Sequence, residues 1–166
     1  MSTTPFNISG EPDFYVAHEP ALPLAQGDIL EGVLCIDGTN APAGKVKRVM
    51  VLTDSCEIDK KFTTSIYAAV CSQMSNKAAL RQSIALREVF AAFYTPEMPG
   101  ILTEGFVDLR AIFRVSFTSI ACNYEEHDAG NRWLQSQNRV ACLSQHGTDL
   151  LQRAIARFFG YERIGS

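Results

Sequence analysis

The sequence is short of the features that settle a protein's class quickly. No apolar run reaches the roughly 18 residues that a membrane-spanning helix needs. The opening "MSTTPFNISGEPDF" has neither a basic start nor an apolar block, so no secretory signal is expected. Positive charge is not in excess: 15 Lys and Arg stand against 18 Asp and Glu, a formal net charge of −3. The whole chain therefore has no attraction for nucleic acid, and any phosphate-binding surface must be local. Glycine-rich phosphate loops, dinucleotide fingerprints and Ser-His-Asp signatures are missing, so no cofactor is expected. The tight Cys-x2-Cys spacing of structural zinc is missing too.

What is present is a globular composition. With 166 residues and 46% hydrophobic content the chain is long enough for one domain with its own core. The five cysteines (Cys35, Cys56, Cys71, Cys122, Cys142) are odd in number and scattered. Four lie in apolar stretches, as free thiols do in a reduced compartment, so the expected location is the cytoplasm with no membrane partner. Cys122 with His127 and Cys142 with His146 have ligand-like gaps, but each cysteine closes an apolar run. Core packing is their expected role, and no metal site is expected.

Residues 1–24 read as an extended, proline-punctuated lead-in, and 25–166 as a single domain. "GDILEGVLCIDG" reads as a strand bent at Gly32, and "KRVMVLT" and "SIYAAVCS" as short buried strands. From Ser75 to Phe93 the period turns helical, through Leu80, Ile84, Val89 and Phe93, with "TPEMPG" ending the helix. "ILTEGFVDL" and "AIFRVSFTSIA" return to strand, "CNYEEHDAGNRWLQSQN" reads as a polar loop, and "RVACLS" as a last strand. "TDLLQRAIARFFG" is a closing helix, capped by Thr148 and ended by Gly160. The order implies α+β with a mostly antiparallel sheet.

One stretch carries most of the candidate chemistry. In "RVMVLTDSCEIDKK" an unbroken apolar run is followed by Thr53, Asp54, Cys56 and Glu57. A hydroxyl, two carboxylates and a thiol at the end of a buried strand suit a catalytic lip. They equally suit a turn whose Asp54 or Ser55 bonds its own backbone. Lys45, Lys47 and Arg48, with Arg110, Arg114, Tyr67 and Tyr124, offer material for a modest single-stranded RNA groove, or else solvated strand edges.

The strings "GDIL", "KRVMVLTD", "SIYAAVCS", "FVDLRAIFRV" and "RVACLS", in this order before a terminal helix, resemble the MazF/PemK family of plasmid-maintenance toxins. The resemblance spans most of Ala25 to Gly160, with the 75–93 helix as an insertion. It implies an SH3-like β-barrel and an endoribonuclease in which a 2′-hydroxyl attacks the adjacent phosphate. It also implies an antitoxin-like partner, single-stranded RNA as substrate and a homodimer. The family's arginine falls on Arg48 and its threonine on Cys71, with Val49 in place of the family's proline. A thiol is a weak donor beside a hydroxyl. Catalysis is expected from Arg48 with Thr53, Asp54, Cys56 and Glu57, and substrate binding from Cys71, Ser72 and Lys47. A non-catalytic assembly module on the same fold is the competing expectation.

Overall fold

The computed structural model describes residues 13–16, 23–35, 45–60, 63–120, 122–127, 131–136 and 138–164. Strands β1 (Tyr15–Val16), β2 (Ile29–Cys35) and β3 (Lys45–Val51) come first, then the helical turn α1 (Ser55–Ile58). Strand β4 (Ser65–Gln73), helix α2 (Ala78–Ala85) and strands β5 (Ala92–Thr95) and β6 (Gly105–Ser116) follow. The chain ends with β7 (Cys122–His127), β8 (Asn131–Ser136), β9 (Arg139–Leu143) and α3 (Gln145–Ile164). Seven strands form one sheet in the order β1-β9-β2-β3-β4-β6-β5, and β7 and β8 form a separate hairpin. Every pairing is antiparallel. The class is α+β, as expected. Among the described residues no helix is long and apolar enough to cross a membrane.

The apolar run around β3 explains the packing. Side chains alternate along a strand. Val49 and Val51 enter a cluster with Leu30, Val33, Ile66, Ala68 and Val115 on one face. Met50 and Leu52 enter another with Ala69, Leu109, Leu151 and Phe158 on the face that α3 covers. A strand buried on both sides has no position for a polar residue, hence the unbroken run. A smaller cluster of Ile84, Ala85 and Tyr94 lies under α2.

The sheet is curled and barrel-like but not closed. Its two end strands approach each other: the Tyr15 hydroxyl donates to the Pro96 carbonyl at 2.8 Å, just past β5. The Phe14 and Phe93 rings stand 5.9 Å apart. Strands β1 and β5 are not backbone-paired with one another. Bulges, which bend and twist a strand, supply curvature, two of them in the β2–β3 and β4–β6 ladders. One falls in β2 between Leu30 and Val33, where Gly32 has φ 68°, the bend expected at that glycine. The other takes Leu109–Ala111 out of the β4–β6 ladder, since Ala69 pairs with Ile112 and Val70 with Asp108.

Several boundaries differ from expectation for identifiable reasons. The expected helix over 75–93 stops at Ala85, and Phe93 belongs to β5. Arg87 turns the chain with φ 60°. Its guanidinium lies 4.9 Å from the Phe93 ring centre and donates to the Tyr94 carbonyl at 2.9 Å, which holds that left-handed residue. The two expected strands around Leu109 are one bulged strand, β6. The expected polar loop after Cys122 is the β7–β8 hairpin, with Tyr124 opposite Leu134 and Glu125 opposite Trp133. Helix α3 starts at Gln145, where the Ser144 hydroxyl accepts the Gly147 N–H at 3.1 Å, and it runs through Gly160. The lead-in contributes β1, with Phe14 buried in the core.

Two glycines separate close approach from open space. A Cβ at Gly105 would sit 2.3 Å from the Ser72 carbonyl oxygen, whereas one at Gly160 would meet nothing within 4 Å. In urea unfolding, Gly105→Ala is expected to cost about 1–3 kcal/mol. Gly160→Ala, inside a helix, is expected to gain about 0.5–1 kcal/mol.

Candidate functional site

Arg48 projects to the same sheet face as Met50 and Leu52, but beyond the part that α3 covers. There it lines an open cleft of about 280 Å³ with Tyr15, Glu31, Cys71, Ser72 and Thr95. The β2 bulge places Glu31 against it: Arg48 Nε donates to Glu31 Oε1 at 2.8 Å, and Nη2 contacts the same oxygen. Asn138, leading into β9, braces the bulge from both sides. Its carbonyl accepts the Glu31 N–H at 2.8 Å, and its side-chain amide donates to the Glu31 carbonyl at 2.8 Å. Both members of the Arg48–Glu31 pair remain partly exposed, so solvent and ligand reach them.

The cleft's other groups are neutral. The pairing of Val49 with Val70 sets Cys71 beside Arg48. Burial pushes the Cys71 thiol up to about 12; Arg48 pulls the other way and does not win. Burial also pushes the Tyr15 phenol well above its usual range, with smaller contributions from Cys71 and Tyr94, so its proton stays to bond Pro96. Donating hydrogen bonds to Glu31 raises Arg48 further, so the guanidinium is charged at any working pH. The site is thus one fixed cation–carboxylate pair beside hydroxyls and an inert thiol. Arg48 Nη1 carries two more N–H donors for an anion. Glu31 is a carboxylate within reach of the same space, able to accept a proton.

Of the residues expected at the site, Arg48, Cys71 and Ser72 come together here. Lys47 faces the other way, its Nζ 5.9 Å from the Phe113 ring centre. The Thr53–Glu57 lip does not line this cleft. Its polar groups hold a turn: Thr53 Oγ1 accepts the Tyr67 N–H at 2.7 Å, and Asp54 caps α1 by accepting the Cys56 N–H at 2.8 Å. Ser55 Oγ accepts the Gln26 N–H at 3.0 Å, and Glu57 pairs with Lys60. Cys56 is exposed. Thr53 borders a separate apolar groove of about 350 Å³ formed by Leu52, Tyr67, Ile112, Ile155 and Phe159. The side chains of Cys122, Tyr124, His127 and Lys45 lie outside the described residues. Among the described residues, no group of three or more His, Cys, Asp and Glu side chains comes together to hold a metal ion.

Sequence reasoning missed Glu31, Thr95 and Tyr15. Glu31 did have a signal, as a lone acid inside a strand next to the bending glycine; the other two reach the cleft only through long-range pairing.

No protein-family model matches the chain, and no curated protein matches it. Among solved structures the chain is similar to an endoribonuclease in complex with its cognate antitoxin from Mycobacterial species. The likeness has 11% identity and a TM-score of 0.49, over 82% of this chain and 95% of that one. A likeness of this size carries no argument about activity.

The two thiol environments predict an order of modification. With iodoacetamide at pH 8, exposed Cys56 is expected to alkylate first. Cys71, half-buried in the cleft with its thiol pushed up to about 12, is expected to react more slowly, and buried Cys142, also pushed up to about 12, only when the protein unfolds. Peptide mass spectrometry against time, with and without denaturant, reads the order directly.

Proposed function

We propose that this protein is a toxin-like, RNA-directed endoribonuclease, or a derivative of one, with its chemistry at the Arg48 cleft. The observation that carries the reading is the Arg48–Glu31 pair, fixed at a braced bulge and open to solvent. A buried pair of this kind would be structural; an accessible one offers a charged donor and a proton acceptor in one place. In this reading Glu31 takes the proton of a ribose 2′-hydroxyl, and the oxygen attacks the adjacent phosphorus. The P–O5′ bond breaks, leaving a 2′,3′-cyclic phosphate, and the departing 5′-oxygen takes a proton from water. Arg48 stabilises the charge that builds on the pentacoordinate phosphorus. The family resemblance of the sequence favours the same arginine. With it come single-stranded RNA as substrate, an antitoxin-like protein as partner and a homodimer as assembly.

The second reading is a non-catalytic assembly module, and the apolar groove favours it. Tyr67 is 57% exposed and Phe159 43% exposed at its border, more apolar surface than such positions usually show a solvent.

RNA cleavage by the purified protein, with and without Mg²⁺, tests the proposal. Arg48→Ala is expected to lower the rate by about 10²–10³-fold. Glu31→Gln is expected to lower it and to remove the acid limb of the pH–rate profile, because the base it replaces must be deprotonated. Loss on Cys56→Ser instead would move the chemistry to the α1 turn. No cleavage by folded wild type would leave the assembly reading.

A further inference from the structure

One group in the Arg48 cleft has no part in that reading. Thr95 ends β5, is 6% exposed, and lines the cleft. Its hydroxyl makes no hydrogen bond among the described residues. The oxygen is not among the side-chain atoms sealed from water, so the hydroxyl opens onto the cleft with its donor available to a ligand.

The sheet register aims this hydroxyl. Thr95 pairs with Gly105 and Gly105 with Gln73; in the next row Phe93, Val107 and Cys71 align. Directly opposed residues of an antiparallel sheet share a face. Thr95 therefore stands on the same face as Cys71 and Arg48, across the curl of the sheet. Gly105, lying between, keeps the way open: a Cβ there would lie 3.7 Å from Thr95 Oγ1. The cleft is thus walled by a guanidinium on the β3 side and a free hydroxyl on the β5 side. Both are hydrogen-bond donors, the complement of an anion with several acceptor oxygens.

We propose that Thr95 is a substrate-binding residue, donating its hydroxyl to a non-bridging phosphate oxygen of the RNA strand whose phosphate Arg48 holds. This rests on the ribonuclease reading of the cleft. Thr95 supplies from a distant strand the hydroxyl that Cys71 does not have. The resemblance to toxin ribonucleases points to β4 for this hydroxyl; the structure places it on β5, after α2. The strand that follows the insertion then carries one wall of the binding site.

Binding of a short 2′-O-methyl oligoribonucleotide, which cannot be cleaved by 2′-hydroxyl attack, tests this apart from catalysis. Fluorescence anisotropy would follow wild type, Thr95→Val, Thr95→Ser and Arg48→Ala over a salt series. Thr95→Val is expected to weaken binding by about 10- to 100-fold, and Thr95→Ser to stay near wild type. Arg48→Ala is expected to flatten the salt dependence by about one ion, whereas Thr95→Val, which removes no charge, leaves the slope unchanged. If Thr95→Val melts below the assay temperature, Thr95→Ala removes the same donor with a smaller side chain. Wild-type binding by Thr95→Val or Thr95→Ala, with Arg48→Ala weakened, overturns the role of Thr95 and leaves the cleft reading intact. No binding by wild type overturns both.

Discussion

Arg139 and Asp28 form an ion pair sealed from water, their side chains 0% and 4% exposed with 3.0 Å between Nη1 and Oδ2. Each member of the pair has one further hydrogen bond on the atom that forms it. Asp28 Oδ2 also accepts the Ala25 N–H at 2.9 Å, and Arg139 Nη1 also donates to the Pro23 carbonyl at 2.9 Å. Burial still pushes the Asp28 carboxyl up, against the pull of the Ala25 amide and of Arg139. Removing one partner from such a pair leaves a buried charge and costs about 3–5 kcal/mol. Three strands meet here. Asp28 opens β2 and accepts the Val51 N–H at the end of β3, and Arg139 opens β9, which carries β1. The β9–β2 alignment also brings Asn138 to the Glu31 bulge. The position of the acid paired to Arg48 thus depends on a salt bridge that never meets solvent.

The cleft itself is a by-product of incomplete cover. Helix α3 lies over Met50, Ala69 and Leu109 and stops short of Arg48 and Cys71. The curl then brings Tyr15 and Thr95 round as walls. A flat sheet with the same pairing would leave Thr95 three strands away from Arg48. Curvature, to which the bulges contribute, is what converts a row of residues into a site.

How much of this was legible differed by kind of interaction. The run Val49–Leu52 announced a strand buried on both faces, Gly32 announced a bend, and the α+β class followed from the order of periods. Arg48 was legible only with help from a family resemblance. The Thr53–Glu57 stretch was ambiguous for a physical reason. Short polar side chains at a strand's end are what an active site needs and also what a helix cap needs. Here Asp54 caps the turn, Thr53 and Ser55 accept the Tyr67 and Gln26 amides, and Glu57 pairs with Lys60. The 75–93 helix was read too long because Val89 and Phe93 keep helical spacing while serving a strand. Only contact with aromatic rings from other elements makes Arg87 a stopping point. Glu31, Thr95 and Tyr15 come together through pairings between distant segments, to which local patterning is blind.

The pairing of β1 with β9 has a consequence for how the molecule is made. Tyr15 and Leu143 are partners in the ladder although most of the chain lies between them. Contacts between such distant positions demand loop closure before they repay it, and they slow folding. As the chain leaves the ribosome, β2, β3 and β4 can pair as soon as each emerges. Strand β1 has to wait, unpaired, until nearly all the rest has been synthesised. The wall that Tyr15 gives the cleft is therefore among the last parts of the protein to be built, and an incomplete chain carries Arg48 without a finished site around it.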